Sequence, residues 1–271
     1  MDETRRAVLA AALAAAVAGR GTAAAADEPP PAHDMSAFPA DWTRPDRIAM
    51  VAYPGFTALD LAGPQYMFGN LMGATVQVVA KSRDPVRSDT GLTVVPDATF
   101  AEVSGPLTVL FVPGSGQGML DALADTETMA FIAERGRDAA WITSVCTGSV
   151  LLAAAGLLDG YRATSHWVTE SVLPALGAIL DPSRIVHDRN RVTGAGVTAG
   201  IDFGLSMLEI LRDRDYAMAI QLLAQYDPAP PFDAGSLATA PPKIAAMMQG
   251  MFPGFAARAI AAGEKARAAL R

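Results

Sequence analysis

A single cysteine, three histidines and a charged fraction of only 18% are the scarcities of this 271-residue chain. With Cys146 alone there is no internal disulfide framework and no paired-cysteine zinc or redox motif. His33, His166 and His187 are too few and too scattered for a metal site, so no metal is expected. The 21 basic residues face 28 acidic ones, for a net charge of −7. That balance offers no basic face to a phosphate backbone, so no nucleic-acid partner is expected. No apolar run reaches the roughly 20 residues needed to span a bilayer, and no membrane insertion is expected. What remains is a 51% apolar composition, which excludes a disordered or fibrous chain and suits a single large buried core.

The N-terminus carries an address. Arg5 and Arg6 precede an apolar stretch from Ala7 to Ala18, and small residues Ala23 to Ala26 end just before Asp27. A cationic head, a short apolar middle and an Ala-x-Ala end read as a secretory signal over residues 1–26. The arginine pair points to the twin-arginine route, hence to an exported, periplasmic protein. The plainer alternative is an Ala-rich amphipathic helix or disorder. Residues 27–44, rich in Pro and Ala, read as a flexible leader.

From there, apolar β-rich runs alternate with helical patterns. Strands are expected over residues 47–53, 75–80, 107–112, 141–145 and 191–195, with a hairpin excursion over 86–95. Helices are expected over 121–135, 147–158 and 198–211, and from Met247 onward. Continuous apolar strands separated by helices imply a parallel sheet covered on both faces. The fold class is therefore α/β, a doubly wound, mostly parallel sheet of flavodoxin-like type. It forms one domain over residues 45–242, with a C-terminal helical tail over 243–271 that packs on the body or on a partner. Ligands of such sheets sit beyond the carboxyl ends of the strands.

Cys146 lies where one of those strands meets a helix, in the string Thr-Ser-Val-Cys-Thr-Gly-Ser over 143–149. Small neighbours allow the sharp turn that exposes a nucleophile. A helix N-terminus favours the thiolate there, although a buried core thiol fits the same composition. Asp60 follows the first strand, between Leu59 and Leu61. It reads as a cap or turn former, or as a carboxyl that apolar neighbours force to be paired or partly neutral. Both residues follow strands and can meet at one sheet edge. The amides of Gly114 and Ser115, after another strand, are candidate oxyanion donors alongside that of Thr147. His166 reads first as a hydrogen-bonded structural imidazole, His187 and Asn190 as surface turn residues, and Phe56 and Trp167 as core rather than as the wall of an apolar pocket.

These residues carry a resemblance to the ThiJ/PfpI superfamily, with its class I glutamine amidotransferase-like fold, and within it to the isonitrile hydratases. The shared strings are Leu-Asp-Leu-Ala-Gly-Pro over 59–64, Val-Cys-Thr-Gly-Ser over 145–149, Ala-Ala-Gly-Leu-Leu over 154–158, Thr-Ala-Gly-Ile-Asp-Phe over 198–203 and Tyr-Asp-Pro-Ala-Pro-Pro-Phe over 226–232. The resemblance implies hydration of a small apolar isonitrile to an N-substituted formamide by a homodimer, with no cofactor. By motif, Cys146 matches the nucleophile, Asp60 the acid–base carboxylate and Thr147 the supporting residue beside the nucleophile. It also raises His166, with Trp167 next to it, to site-adjacent rank. Ser115 departs from the pattern, since relatives usually carry a second Gly there, and a positive φ at that position would disturb the loop.

Three other readings compete. PfpI-type peptidases carry His directly after the cysteine, where this chain has Thr147. Glyoxalase- or deglycase-like members usually present Glu rather than Asp on the first-strand loop. A ligand or redox sensor of the same fold needs no turnover, but no helix-turn-helix segment follows Phe232, and an exported protein does not reach DNA.

Overall fold

A computed structural model describes residues 38–271. The expected signal over 1–26, and the leader up to residue 37, lie outside the described residues. In chain order the described strands are β1 (Arg47–Val51), β2 (Thr75–Ala80), β3 (Val86–Arg87), β4 (Thr93–Val94), β5 (Ala98–Thr99), β6 (Val109–Val112), β7 (Trp141–Val145), β8 (Arg162–Ala163), β9 (Ile179–Leu180), β10 (Ile185–Asp188) and β11 (Arg191–Gly194). The α-helices are α1 (Ala58–Gly69), α2 (Gln117–Ala124), α3 (Thr126–Asp138), α4 (Gly148–Ala154), α5 (Val172–Ala175), α6 (Ala199–Leu211), α7 (Arg214–Leu223), α8 (Pro242–Gly250) and α9 (Phe255–Ala269).

β1, β6 and β7 are buried along nearly their whole length, as both-faced coverage demands. They form the centre of a seven-stranded sheet in the order β10-β11-β7-β6-β1-β2-β5. Every pairing in it is parallel except that of the edge strand β10 with β11. The expected hairpin over 86–95 is the antiparallel pair β3–β4. The register aligns Met50 with Phe111 and Val112 with Ser144, so β1, β6 and β7 end at one edge. The loops carrying Asp60, Gly114 and Cys146 leave the sheet side by side, with the β6 loop in the middle.

Two of the shared strings are a packing seam. A β-carbon on Gly200 would lie 3.1 Å from Pro64, and one on Gly63 would lie 3.4 Å from Ile201. The small residues let α6 press against α1 and thereby fix the helix that carries Asp60.

Several expectations shift. The single helix expected over 121–135 is two helices, because the Asp125 side chain accepts hydrogen bonds from the Glu127 and Thr128 amides and caps a new start. The helix after Cys146 ends at Ala154 rather than 158. The leader is ordered before residue 44. Ala40–Trp42 is a 3₁₀ turn, and the Trp42 ring meets Tyr216 edge-on at 4.9 Å while its Nε1–H donates to Asp213 at 2.7 Å. Of the two places expected for the tail it takes the body, where α9 packs on α2, α4 and α5 with Ala259, Gly263 and Ala266 buried.

Arg212 ties the end of the leader to the body. Its guanidinium, with no exposed side-chain area, donates to the carbonyls of Trp42, Leu211, Arg44 and Met72 and to the Asp46 carboxylate at 2.5 Å. Removing one partner of a buried ion pair costs about 3–5 kcal/mol. Arg212→Met should therefore lower the thermal unfolding midpoint by roughly 10 °C, read by calorimetry. An unchanged midpoint would show that Arg212 is dispensable.

Candidate functional site

Cys146 occupies a left-handed backbone conformation, φ 58°, at the junction of β7 and α4. Such a conformation costs a non-glycine residue energy and persists only where its surroundings enforce it. Here its N–H donates to the Gly194 and Ala195 carbonyls, and its own carbonyl accepts from the Ser149 and Ser165 hydroxyls. Gly148 enforces the same turn, because a β-carbon there would lie 2.2 Å from the Val112 carbonyl oxygen.

Asp60 sits in the first turn of α1 with no solvent-exposed area. Its Oδ2 accepts the Gly114 N–H at 3.0 Å, and its Oδ1 receives neither an N–H nor an O–H donor. A β-carbon placed on Gly114 would lie 2.8 Å from both Asp60 Oδ2 and Cys146 Cβ. Glycine is thus what lets the carboxyl and the thiol converge. Burial raises the Asp60 pKa to about 7, against the lowering by the Cys146 thiol and the Gly114 amide. Burial also pushes the Cys146 thiol well above its ordinary value, helped by the charge of Asp60 and only partly offset by the Thr147 N–H.

That overturns the expectation of a thiolate at rest. The desolvation of a cysteine only 4% exposed outweighs what one short helix start supplies. Burial thus favours the protonated thiol at rest and raises the Asp60 carboxyl toward neutrality.

The oxyanion expectation is corrected as well. The Gly114 amide is engaged by Asp60, and the Ser115 amide donates to Thr147 Oγ1 at 2.8 Å. Thr147 Oγ1 in turn donates to the Ser115 carbonyl at 2.6 Å. These amides position the site rather than wait for a substrate oxygen. Ser115 itself is unstrained, since it is not among the positive-φ residues, and its hydroxyl donates to the Gly55 carbonyl at 2.5 Å. The position needs no positive φ, so the serine does not disturb the loop and adds a hydrogen bond to the neighbouring one.

A cavity of about 140 Å³ opens beside the thiol, lined in part by Cys146, Thr147, Ser115 and His166. His166 is therefore beside the site rather than a remote structural imidazole. Burial lowers its pKa, and its Nδ1 accepts the Val168 N–H at a long 3.4 Å. The neutral ring carries its proton on Nε2 in this arrangement. Trp167 stands one layer back, edge-on to Phe252 at 5.7 Å. Phe56 is fully buried core, as expected. His187 lies on β10 rather than in a turn, while Asn190 lies in the turn that follows. The lining residues that sequence reading missed are Phe252 and Phe255, whose apolar character in a tail marks only a helix face. A larger cavity of about 590 Å³ lies between α2, α3 and α9, lined by Leu123, Met129 and Leu270 among others, and its lining includes neither cysteine nor histidine.

Thr147 yields a direct test. Thr147→Val keeps the shape but strands the buried Ser115 amide and carbonyl, so the loop must shift. A loss of about 10–100-fold in kcat/KM is expected, with Thr147→Ser restoring most of it. Equal rates for the valine and serine variants would remove Thr147 from the machinery.

Residues 46–210 match the DJ-1/PfpI family. An isonitrile hydratase from Pseudomonas putida is 44% identical over 198 residues, covering 73% of this chain and 86% of the relative. The crystal structure of a ThiJ/PfpI family protein from Pseudomonas syringae superposes with a TM-score of 0.82 at 52% identity, covering 86% of this chain and 98% of that one. The HTH-type transcriptional regulator GbdR of Pseudomonas aeruginosa is 28% identical over 191 residues, 68% of this chain and 51% of the regulator. With the sheet, the cysteine turn and these matches in agreement, the chain belongs to the DJ-1/PfpI family.

Proposed function

We propose that this protein hydrates isonitriles, R–N≡C, to N-substituted formamides, with Cys146 as nucleophile and Asp60 as proton carrier. The observation that carries the reading is the convergence of thiol and carboxyl on Gly114, with the carboxyl pKa raised to about 7 beside an elbow cysteine. The terminal carbon of an isonitrile must receive both a nucleophile and a proton, so both groups must reach one atom. Identity of 44% to an isonitrile hydratase supports the same class. The engaged loop amides fit as well, because an isonitrile brings no carbonyl oxygen to hold.

The steps balance without any cofactor. Asp60 carboxylate takes the Cys146 proton and hands it to the isonitrile carbon, while sulfur forms the new S–C bond. One C–N π pair retreats to nitrogen, leaving the thioimidate R–N=CH–S–Cys146. The regenerated carboxylate then takes a proton from water as its oxygen adds to that carbon, and nitrogen receives the proton. Collapse breaks the C–S bond, releases R–NH–CHO and returns the hydroxyl proton through Asp60 to sulfur.

Product analysis on cyclohexyl isocyanide tests the reading. Wild-type protein should release N-cyclohexylformamide in many turnovers. No product, together with a stably oxidised Cys146 by mass spectrometry, would favour a sensor instead. A homodimeric assembly and export by the Arg5–Arg6 signal belong to the same proposal, read by sedimentation and by periplasmic fractionation.

A further inference from the structure

The segment after the family-matched residues reaches back to the cysteine. Phe252 and Phe255 line the 140 Å³ cavity together with Val168 and Val197, and with Thr57, Ser115, Thr147 and His166. Phe255 is 6% exposed and opens α9, which is anchored to the body by Arg267 through the Leu176 carbonyl and the Asp159 carboxylate. Phe252 is half-buried. It is braced edge-on by Trp167 at 5.7 Å and by Phe255 at 6.1 Å, and it joins α9 through Pro253 and the left-handed Gly254. The helix before it, α8, buries no residue. One wall of the site is therefore fixed at Phe255 and continued by the half-buried Phe252, whose N–H donates to the Gln249 carbonyl and whose own carbonyl accepts the Phe255 N–H.

We propose that Phe252 and Phe255 form a steric gate that admits R groups up to about one six-membered ring and rejects fused rings. This rests on the isonitrile reading above. The size follows from the cavity, since an apolar cavity of about 150 Å³ holds a benzene-sized guest. Specificity is thus set by a part of the chain outside the 46–210 family segment.

The test measures kcat/KM for methyl, cyclohexyl and naphthyl isocyanides with wild type, Phe252→Ala and Phe252→Trp. In wild type, naphthyl should fall at least about tenfold below cyclohexyl, and Phe252→Ala should raise the naphthyl-to-methyl ratio by a similar factor. Phe252→Trp should lower the cyclohexyl-to-methyl ratio. Ratios that stay constant across all three proteins, or wild type turning over naphthyl as fast as cyclohexyl, would overturn the gate. Alkylation of Cys146 by iodoacetamide and by a bulky N-aryl maleimide separates the two claims. Should wild type hydrate no isonitrile, the functional reading fails. The gate is then judged alone by whether Phe252→Ala raises the maleimide-to-iodoacetamide rate ratio, and an unchanged ratio sinks it.

Discussion

Cys146→Ser should lower isonitrile hydration by at least about 10⁴-fold, because it removes the covalent step while leaving the cavity and Asp60 in place. The oxygen of serine is a far weaker nucleophile at neutral pH, and no histidine stands ready to activate it. His166 uses its Nδ1 toward the Val168 amide, and the loop amides are taken by Asp60 and Thr147. Nothing described here rescues an alkoxide. Steady-state formamide release checks the expectation, and trapping of a thioimidate-sized mass adduct on wild type, absent in the variant, identifies the bond. Retention of more than about a tenth of wild-type activity would mean that Asp60 adds water directly and that sulfur is a bystander.

Why sequence reading located this pair, yet misjudged its charge, follows from which information is local. The turn at Cys146 is written in its neighbours, since Gly148 and the small residues around it leave one way for the chain to pass Val112 and Pro113. A carboxyl between Leu59 and Leu61, just after a strand, likewise announces a buried acid. The protonation state is not local. It depends on how completely the sulfur is covered, and Phe252 and Phe255, more than a hundred residues away, contribute to that cover. The donor loop was misread for a related reason, since free and engaged amides look alike until Asp60 and Thr147 are seen to bond them. Among the elements, the long apolar strands were legible. The helix carrying Asp60 and the edge strand β10 were not, because Pro64 and Gly63 interrupt the first and the second is short, amphipathic and flanked by turn residues.

The pH dependence of catalysis should follow Asp60. The active pair holds one proton, on sulfur, with the carboxyl ionised to receive it. Below about 7 Asp60 takes up a second proton and can no longer act as the base. kcat/KM should therefore rise by roughly 50–100-fold between pH 5 and pH 8, with its limb near 7, and fall only above the ordinary thiol range. Asp60→Asn should lose about 10²–10⁴-fold and abolish that limb. Stability should move the opposite way. A carboxyl whose pKa is raised on folding contributes stability that is full below its unfolded value and is lost as pH climbs through about 7. Holding Asp60 ionised at pH 8 then costs on the order of 4 kcal/mol. Asn keeps an acceptor for the Gly114 amide without the buried charge, so the variant should gain about 2–4 kcal/mol over wild type at pH 8 and little at pH 4. Urea titrations of both proteins across that range read the gap directly. A wild-type rate limb near 4, or a stability gap that does not grow with pH, would mean that water reaches Asp60 and keeps it an ordinary carboxylate. The proton needed at the isonitrile carbon would then have to come from elsewhere.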